Sequence, residues 1–159
     1  MKDIPEEDRA AFFPKWVSSY YKHGDTSTRD FSQLEQLQGD TSRKPTTETI
    51  SPEELKTIID FGPGVKYEMV FIESSFISIN HKMTMKALFD PRIREAWGDR
   101  HVSCVYCEDS IWMVHYAAWN LEKEVKASEV KFKLVPGANH FVCCFHSIDY
   151  FKPLWNTIS

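Results

Sequence analysis

Two side chains late in the chain are of the types that carry acid–base chemistry, and each follows closely on a short apolar run. Asp109 comes just after His101-Val-Ser-Cys-Val-Tyr-Cys107, and His140 comes just after Lys131-Phe-Lys-Leu-Val135. An imidazole placed as a general base takes a proton from a nucleophile and passes it to the leaving group. A carboxylate beside it orients the ring and stabilises its cation. Glu108 and Ser110 flank Asp109, and a shift of one residue in the turn would put either in its place. The plainer alternatives are a His140 that hydrogen-bonds a loop carbonyl and an Asp109 that caps a helix.

The elements around these residues would bring them together. The run ending at Cys107 is rich in β-branched and aromatic residues and predicts a buried strand. Polarity then rises at Cys107-Glu-Asp-Ser110, where Asp109 or Ser110 can cap the next helix. That helix has an apolar stripe at Ile111, Val114, Ala118, Leu121 and Val125, with Glu122, Lys123 and Lys126 off it. Lys131 to Val135 alternates as a strand does, with Phe132 and Leu134 on one face. Pro136-Gly137 breaks it, and Ala138-Asn139-His140-Phe141 follows. A strand–helix–strand unit of this length joins parallel strands by a right-handed crossover. Functional groups in such sheets gather at the carboxyl ends of the strands. Asp109 and His140 are therefore expected on one rim.

With that order and spacing, Val102 to Phe141 resembles the last part of an α/β-hydrolase, in which an acid turn and then a histidine loop follow the nucleophile. Val-Pro-Gly-Ala-Asn-His140-Phe resembles the histidine loop. Cys107-Glu108-Asp109 resembles the acid turn, where the family more often has glycine in place of Cys107. The close likeness covers about a quarter of the chain. It implies an α/β fold with a few parallel strands at the carboxyl-terminal end, about 102–107 and 131–135, and a largely helical cap-like region before them. The implied division is 1–97 for the cap-like region and 98–159 for the β-α-β part. The implied activity is hydrolysis of an ester, epoxide or similar small apolar substrate. His140 would be the base and Asp109 its orienting acid. No cofactor or metal is implied.

The sequence also departs from that family. A nucleophile turn of the type G-x-S-x-G needs small residues where the backbone is crowded. The six glycines stand at 24, 39, 62, 64, 98 and 137, and no pair brackets a Ser, Cys or Asp in that pattern. No glycine-rich oxyanion loop follows a strand, and His23-Gly24 lies behind a helix. Cys143 and Cys144 stand too near His140 in the chain for the usual opposed geometry of nucleophile and base. After Phe141 the family has a polar helix, whereas Val142 to Phe151 is apolar and aromatic. The expectation is a chain that carries the cap and carboxyl-terminal part of a hydrolase without the nucleophile-bearing half, and is inactive alone. A few parallel strands leave edges and a face uncovered. Self-association, or pairing with a complementing amino-terminal half, would cover them. The alternative is a non-catalytic remnant that binds a partner protein or a small apolar ligand.

Composition narrows the field further. With 42% hydrophobic and 26% charged residues, 159 residues make one ordinary folded domain with a core. A net charge of −4 argues against nucleic acid as a partner. No apolar run reaches membrane-spanning length. The acidic start, Met1-Lys-Asp-Ile-Pro-Glu-Glu-Asp, is unlike a signal peptide, and a cytoplasmic location is the default. Cys104 and Cys107 form a C-x-x-C pair, but residues three apart in a strand face opposite ways, which disfavours zinc. Free thiols are the better expectation.

The remaining segments read as follows. Pro5 to Lys22 predicts helix, divided at Pro14. Its aromatic stripe of Phe12, Phe13, Trp16, Val17 and Tyr20 suits a core or a substrate-lining surface. Arg29 to Gln38 predicts a short helix and Gly39 to Thr49 a loop. Ser51-Pro-Glu-Glu starts a helix that should stop near Phe61. Lys66 to Ile79 is ambiguous, with helix slightly favoured over strand, and Asn80 to Phe89 continues as helix. Asp90-Pro91 breaks it, and Arg92 to Trp97 makes one more turn. His115 and His146 suit packing or surface roles, and Trp112 suits a pocket or the core.

Overall fold

Lys131 to Val135 and the run ending at Cys107 form neighbouring strands. The computed structural model describes residues 5–60, 74–98, 100, 102–125 and 130–141. Among these, β1 (Val102–Cys107) and β2 (Val130–Val135) pair in parallel, from Val102 opposite Val130 to Cys107 opposite Val135. The described α-helices are α1 (Glu6–Val17), α2 (Pro52–Ile58), α3 (Ser74–Phe89), α4 (Pro91–Trp97) and α5 (Trp112–Glu124). The architecture is mixed and broadly α/β, and the sheet has two strands among the described residues.

The molecule divides into two compact units, residues 1–51 with 101–159, and residues 52–100. In the first unit α5 packs against β1. Its buried face is Ile111, His115, Ala118 and Trp119. The expected stripe of Ile111, Val114, Ala118, Leu121 and Val125 is thus rotated, leaving Val114, Leu121 and Val125 half-buried. Apolarity alone misplaced it, because the rings of His115 and Trp119 fill the space against the strand. Nor does Asp109 or Ser110 cap the helix. The N-cap is Ile111, with no side-chain capping bond.

Within this unit the amino-terminal segment packs against the start of α5. Trp16, Val17, Tyr21 and Ile111 form its buried cluster, with Phe12, Phe13, Trp112, Val114 and Phe141 packed around them. The aromatic stripe therefore serves the core at Trp16 and Val17. Pro14 does not divide the helix: α1 runs through it. The missing N–H falls near the end of the helix, where losing one bond disturbs little that follows. The helix stops at Val17 rather than Lys22 because the backbone finds other partners. The Ser19 hydroxyl donates to Lys15 O at 2.7 Å, and Tyr21 N–H reaches Asp109 O at 3.0 Å.

The helix expected over Arg29–Gln38 reduces to a 3-10 turn at Phe31–Gln33. Short acidic side chains capture its amides. Asp30 accepts from Ser32 N–H at 2.9 Å, and Glu35 Oε1 accepts from the N–H groups of Gln36, Leu37 and Gln38. Those bonds also hold the Glu35 carboxyl below its ordinary range.

In the second unit, α2 begins at Pro52 as expected and ends at Ile58, short of Phe61. α3 covers the helix expected from Asn80 and resolves the ambiguity as helix from Ser74; residues 66–73 lie outside the described residues. Asp90 ends α3 and caps α4, accepting from Arg92 N–H at 3.0 Å, and Gly98 closes α4 with φ 59°. No described helix is long and apolar enough to cross a membrane.

Candidate functional site

The candidate site is built where β1 and β2 end side by side. Beyond Cys107 and Val135 the pairing continues: Glu108 N–H donates to Val135 O and Asp109 N–H to Ala138 O, both at 2.9 Å. Gly137 takes φ 65°, and its N–H returns to Glu108 Oε2 at 2.9 Å. Cys107, Val135 and Ala138 are buried beneath these turns. The two turns are therefore one hydrogen-bonded rim, and Asp109 and His140 both belong to it.

The side chains on the rim have distinct partners. Arg43 Nη1 donates to Asp109 Oδ2 and Nη2 to Gly137 O at 2.9 Å, so one guanidinium spans both turns. Its carbon lies 3.4 Å from the centre of the Tyr20 ring, a close cation–π placement. His140 is exposed, and among the described residues its side chain hydrogen-bonds the Ser110 hydroxyl, 3.5 Å from Nδ1. The protein packed around the His140 ring lowers its pKa below the ordinary imidazole value by desolvation. No hydrogen bond joins Asp109 to His140 among the described residues. The rim thus gathers the two predicted residues, but Arg43 occupies the acid and Ser110 is nearer the base.

A serine hydroxyl beside an imidazole is the pairing that nucleophilic catalysis uses. Ser110 is 0% exposed, so no substrate reaches its oxygen in this arrangement. What the site offers is an accessible imidazole on a rigid rim.

Two further histidines shape that rim from behind. His23 Nε2 donates to Ser110 O at 2.7 Å, while its Nδ1 accepts from Glu35 N–H at 3.0 Å. In that pairing Nε2 is the donor and Nδ1 the acceptor. His115, fully buried, donates through Nε2 to Glu108 O at 2.9 Å. Its Nδ1 has no hydrogen-bond partner among the described residues. Burial first, and then His23, depress the His115 pKa to about 4. His115 is thus a packing residue, one of the two roles expected for it. His23 comes from a distant segment, and no local pattern marks it. Asn139 was also passed over, although it adjoins His140. It is 1% exposed, and its amide bonds Ser18 O, Thr46 Oγ1 and Phe141 N–H.

Cys104 is a free thiol whose pKa burial raises, and Cys107 is buried. No cluster of three or more potential metal ligands occurs among the described residues. Cys143, Cys144 and His146 lie outside them. Comparison of the chain with protein-family models, curated proteins and solved structures gives no match.

Proposed function

We propose that this chain supplies the histidine-and-acid rim of an α/β-hydrolase-like site acting on an ester, epoxide or similar small apolar substrate, and is inactive alone. The observation that supports this reading is the parallel β1-α5-β2 unit with its two terminal turns interlocked and His140 exposed on them. In that reading His140 is the general base. Asp109 orients it after exchanging Arg43 for the imidazole. The nucleophile and the oxyanion donors come from a complementing polypeptide segment. The test is hydrolysis of a generic aryl ester by the pure chain, and by the chain joined to any nucleophile-bearing segment encoded just upstream of Met1. The joined form should turn over, and His140→Ala should abolish that turnover. Turnover that survives His140→Ala removes the reading.

The second reading is a non-catalytic remnant that binds a partner protein or a small apolar ligand. It is favoured by the engagement of Asp109 with Arg43 and by the burial of Ser110. Its signature is thermal stabilisation by apolar ligands, or self-association, without turnover. A monomer that melts at one temperature with every ligand counts against it.

A further inference from the structure

We propose that Asn139 is the positioning residue of His140, fixing the imidazole on the rim from a buried anchor in the amino-terminal segment. The inference rests on the reading of His140 as the functional base. The Asn139 carboxamide is 1% exposed and fully committed. Oδ1 accepts from Phe141 N–H at 3.0 Å, so the side chain bridges over His140 in an Asx turn and pins the backbone on either side of it. Nδ2 donates to Ser18 O at 2.7 Å and to Thr46 Oγ1 at 2.8 Å. Ser18 O also accepts from Thr46 N–H at 2.9 Å, and Ser18 and Thr46 are themselves buried. The anchor is therefore a closed polar knot that ties His140 to a segment far away in the chain.

The chemistry of the knot selects asparagine. A flipped amide would set Oδ1 against Ser18 O and two donors against Phe141 N–H. Aspartate keeps the acceptor but brings a carboxylate against the Ser18 carbonyl. Glutamine adds a methylene where the side chain is already buried. Among the described residues the His140 side chain makes one long hydrogen bond, to Ser110, and an edge-on ring contact with Phe141, whose backbone Asn139 holds.

The experiment reads His140 directly and does not depend on turnover, so an absence of hydrolysis leaves it interpretable. The full chain, labelled in its histidine rings, is titrated by NMR, with His140→Gln assigning the resonance. Carbethoxylation of each histidine by diethyl pyrocarbonate is followed in parallel by mass spectrometry. Asn139→Ala should raise the His140 midpoint toward the ordinary imidazole value, as solvent reaches a ring no longer held against the rim. It should also change the His140 modification rate severalfold while His23 and His115 stay as they were. Thr46→Val, which keeps the volume and deletes one of the three bonds, should act in the same direction and less. Thr46→Ser, which keeps the hydroxyl, should restore the wild-type values. A folded Asn139→Ala protein with unchanged His140 titration and reactivity overturns the proposal. So does a change spread equally over all the histidines, which would mark a purely structural role. If Asn139→Ala does not fold, an unchanged His140 in folded Thr46→Val overturns it alone.

Discussion

His23 and His115 meet edge to face with ring centroids 4.7 Å apart, and each donates through Nε2 to a carbonyl of the turn that closes β1. Two imidazoles thus support the rim from the interior. The rings of Tyr106 and Trp119 enclose His115, at 5.5 and 5.7 Å. Charging the buried His115 ring would leave a cation stripped of solvent, with no new partner for Nδ1 among the described residues.

Acid should therefore loosen the molecule before its carboxylates titrate. The folded His115 pKa of about 4 lies below the ordinary 6.5, so between those values the folded state binds fewer protons than the unfolded one. Its contribution is whole above about pH 6.5 and is lost as pH falls toward about 4, up to roughly 3 kcal/mol. Urea midpoints measured from pH 7 to pH 4 should fall steadily, and His115→Gln should flatten that slope. An equal slope in the variant would contradict the assignment. Asp40 acts lower down. Its carboxyl, held at about 2 chiefly by the Ser42 hydroxyl, loses its contribution only as pH drops from near 3.8 toward 2.

Arg43→Ala should weaken the rim modestly. The pair with Asp109 is partly exposed, at 39% and 21% of the side chains. Solvent screening holds such a pair to about 1 kcal/mol or less, and loss of the stack on Tyr20 adds about 0.5–1 kcal/mol. Arg43→Lys should not restore the loss, because a single ammonium cannot span Asp109 and Gly137 O as the planar fork does. Chemical denaturation of the three proteins checks both points.

Tyr21→Phe isolates one buried hydrogen bond. The Tyr21 hydroxyl donates to Trp16 O at 2.7 Å, the residue is 1% exposed, and burial raises its pKa. Removing the oxygen keeps the ring in the core and leaves the carbonyl only the longer bond from Ser19 N–H at 3.3 Å, at a cost of about 1–2 kcal/mol. A urea midpoint equal to wild type would show that the carbonyl finds another partner.

Gly137 is required for its backbone. At φ 65° it has nothing within 4 Å of an added Cβ, so any penalty is conformational and not steric. Gly137→Ala should cost about 1 kcal/mol and Gly137→Asn clearly less, since asparagine tolerates the left-handed region. Equal losses in the two variants would point instead to the Glu108 bond.

The sequence made the β1-α5-β2 unit legible because its signals are local: strand-like runs, a turn at Glu108-Asp109 and a break at Pro136-Gly137. The shared rim of Asp109 and His140 followed from topology. Their partners did not follow, since Arg43 reaches Asp109 across a separation of 66 residues and His23 reaches Ser110 across 87. No periodicity records such pairings. The helix expected at 29–38 was lost to Asp30 and Glu35, whose carboxylates outbid the helical carbonyls for nearby amides. The rotation of the α5 face came from His115 and Trp119, which an apolar count treats as outsiders.

The Ser18–Asn139 bond closes a separation of 121 residues. Made from its amino end, the polypeptide must carry α1 and the loop after it without their partners until Asn139 is added. At ordinary synthesis rates that wait lasts about 6–24 s. For most of that interval Trp16, Val17 and Tyr21 lack Ile111, and for all of it Ser18 lacks the Asn139 amide, so the emerging chain shows water an apolar surface that the finished fold covers.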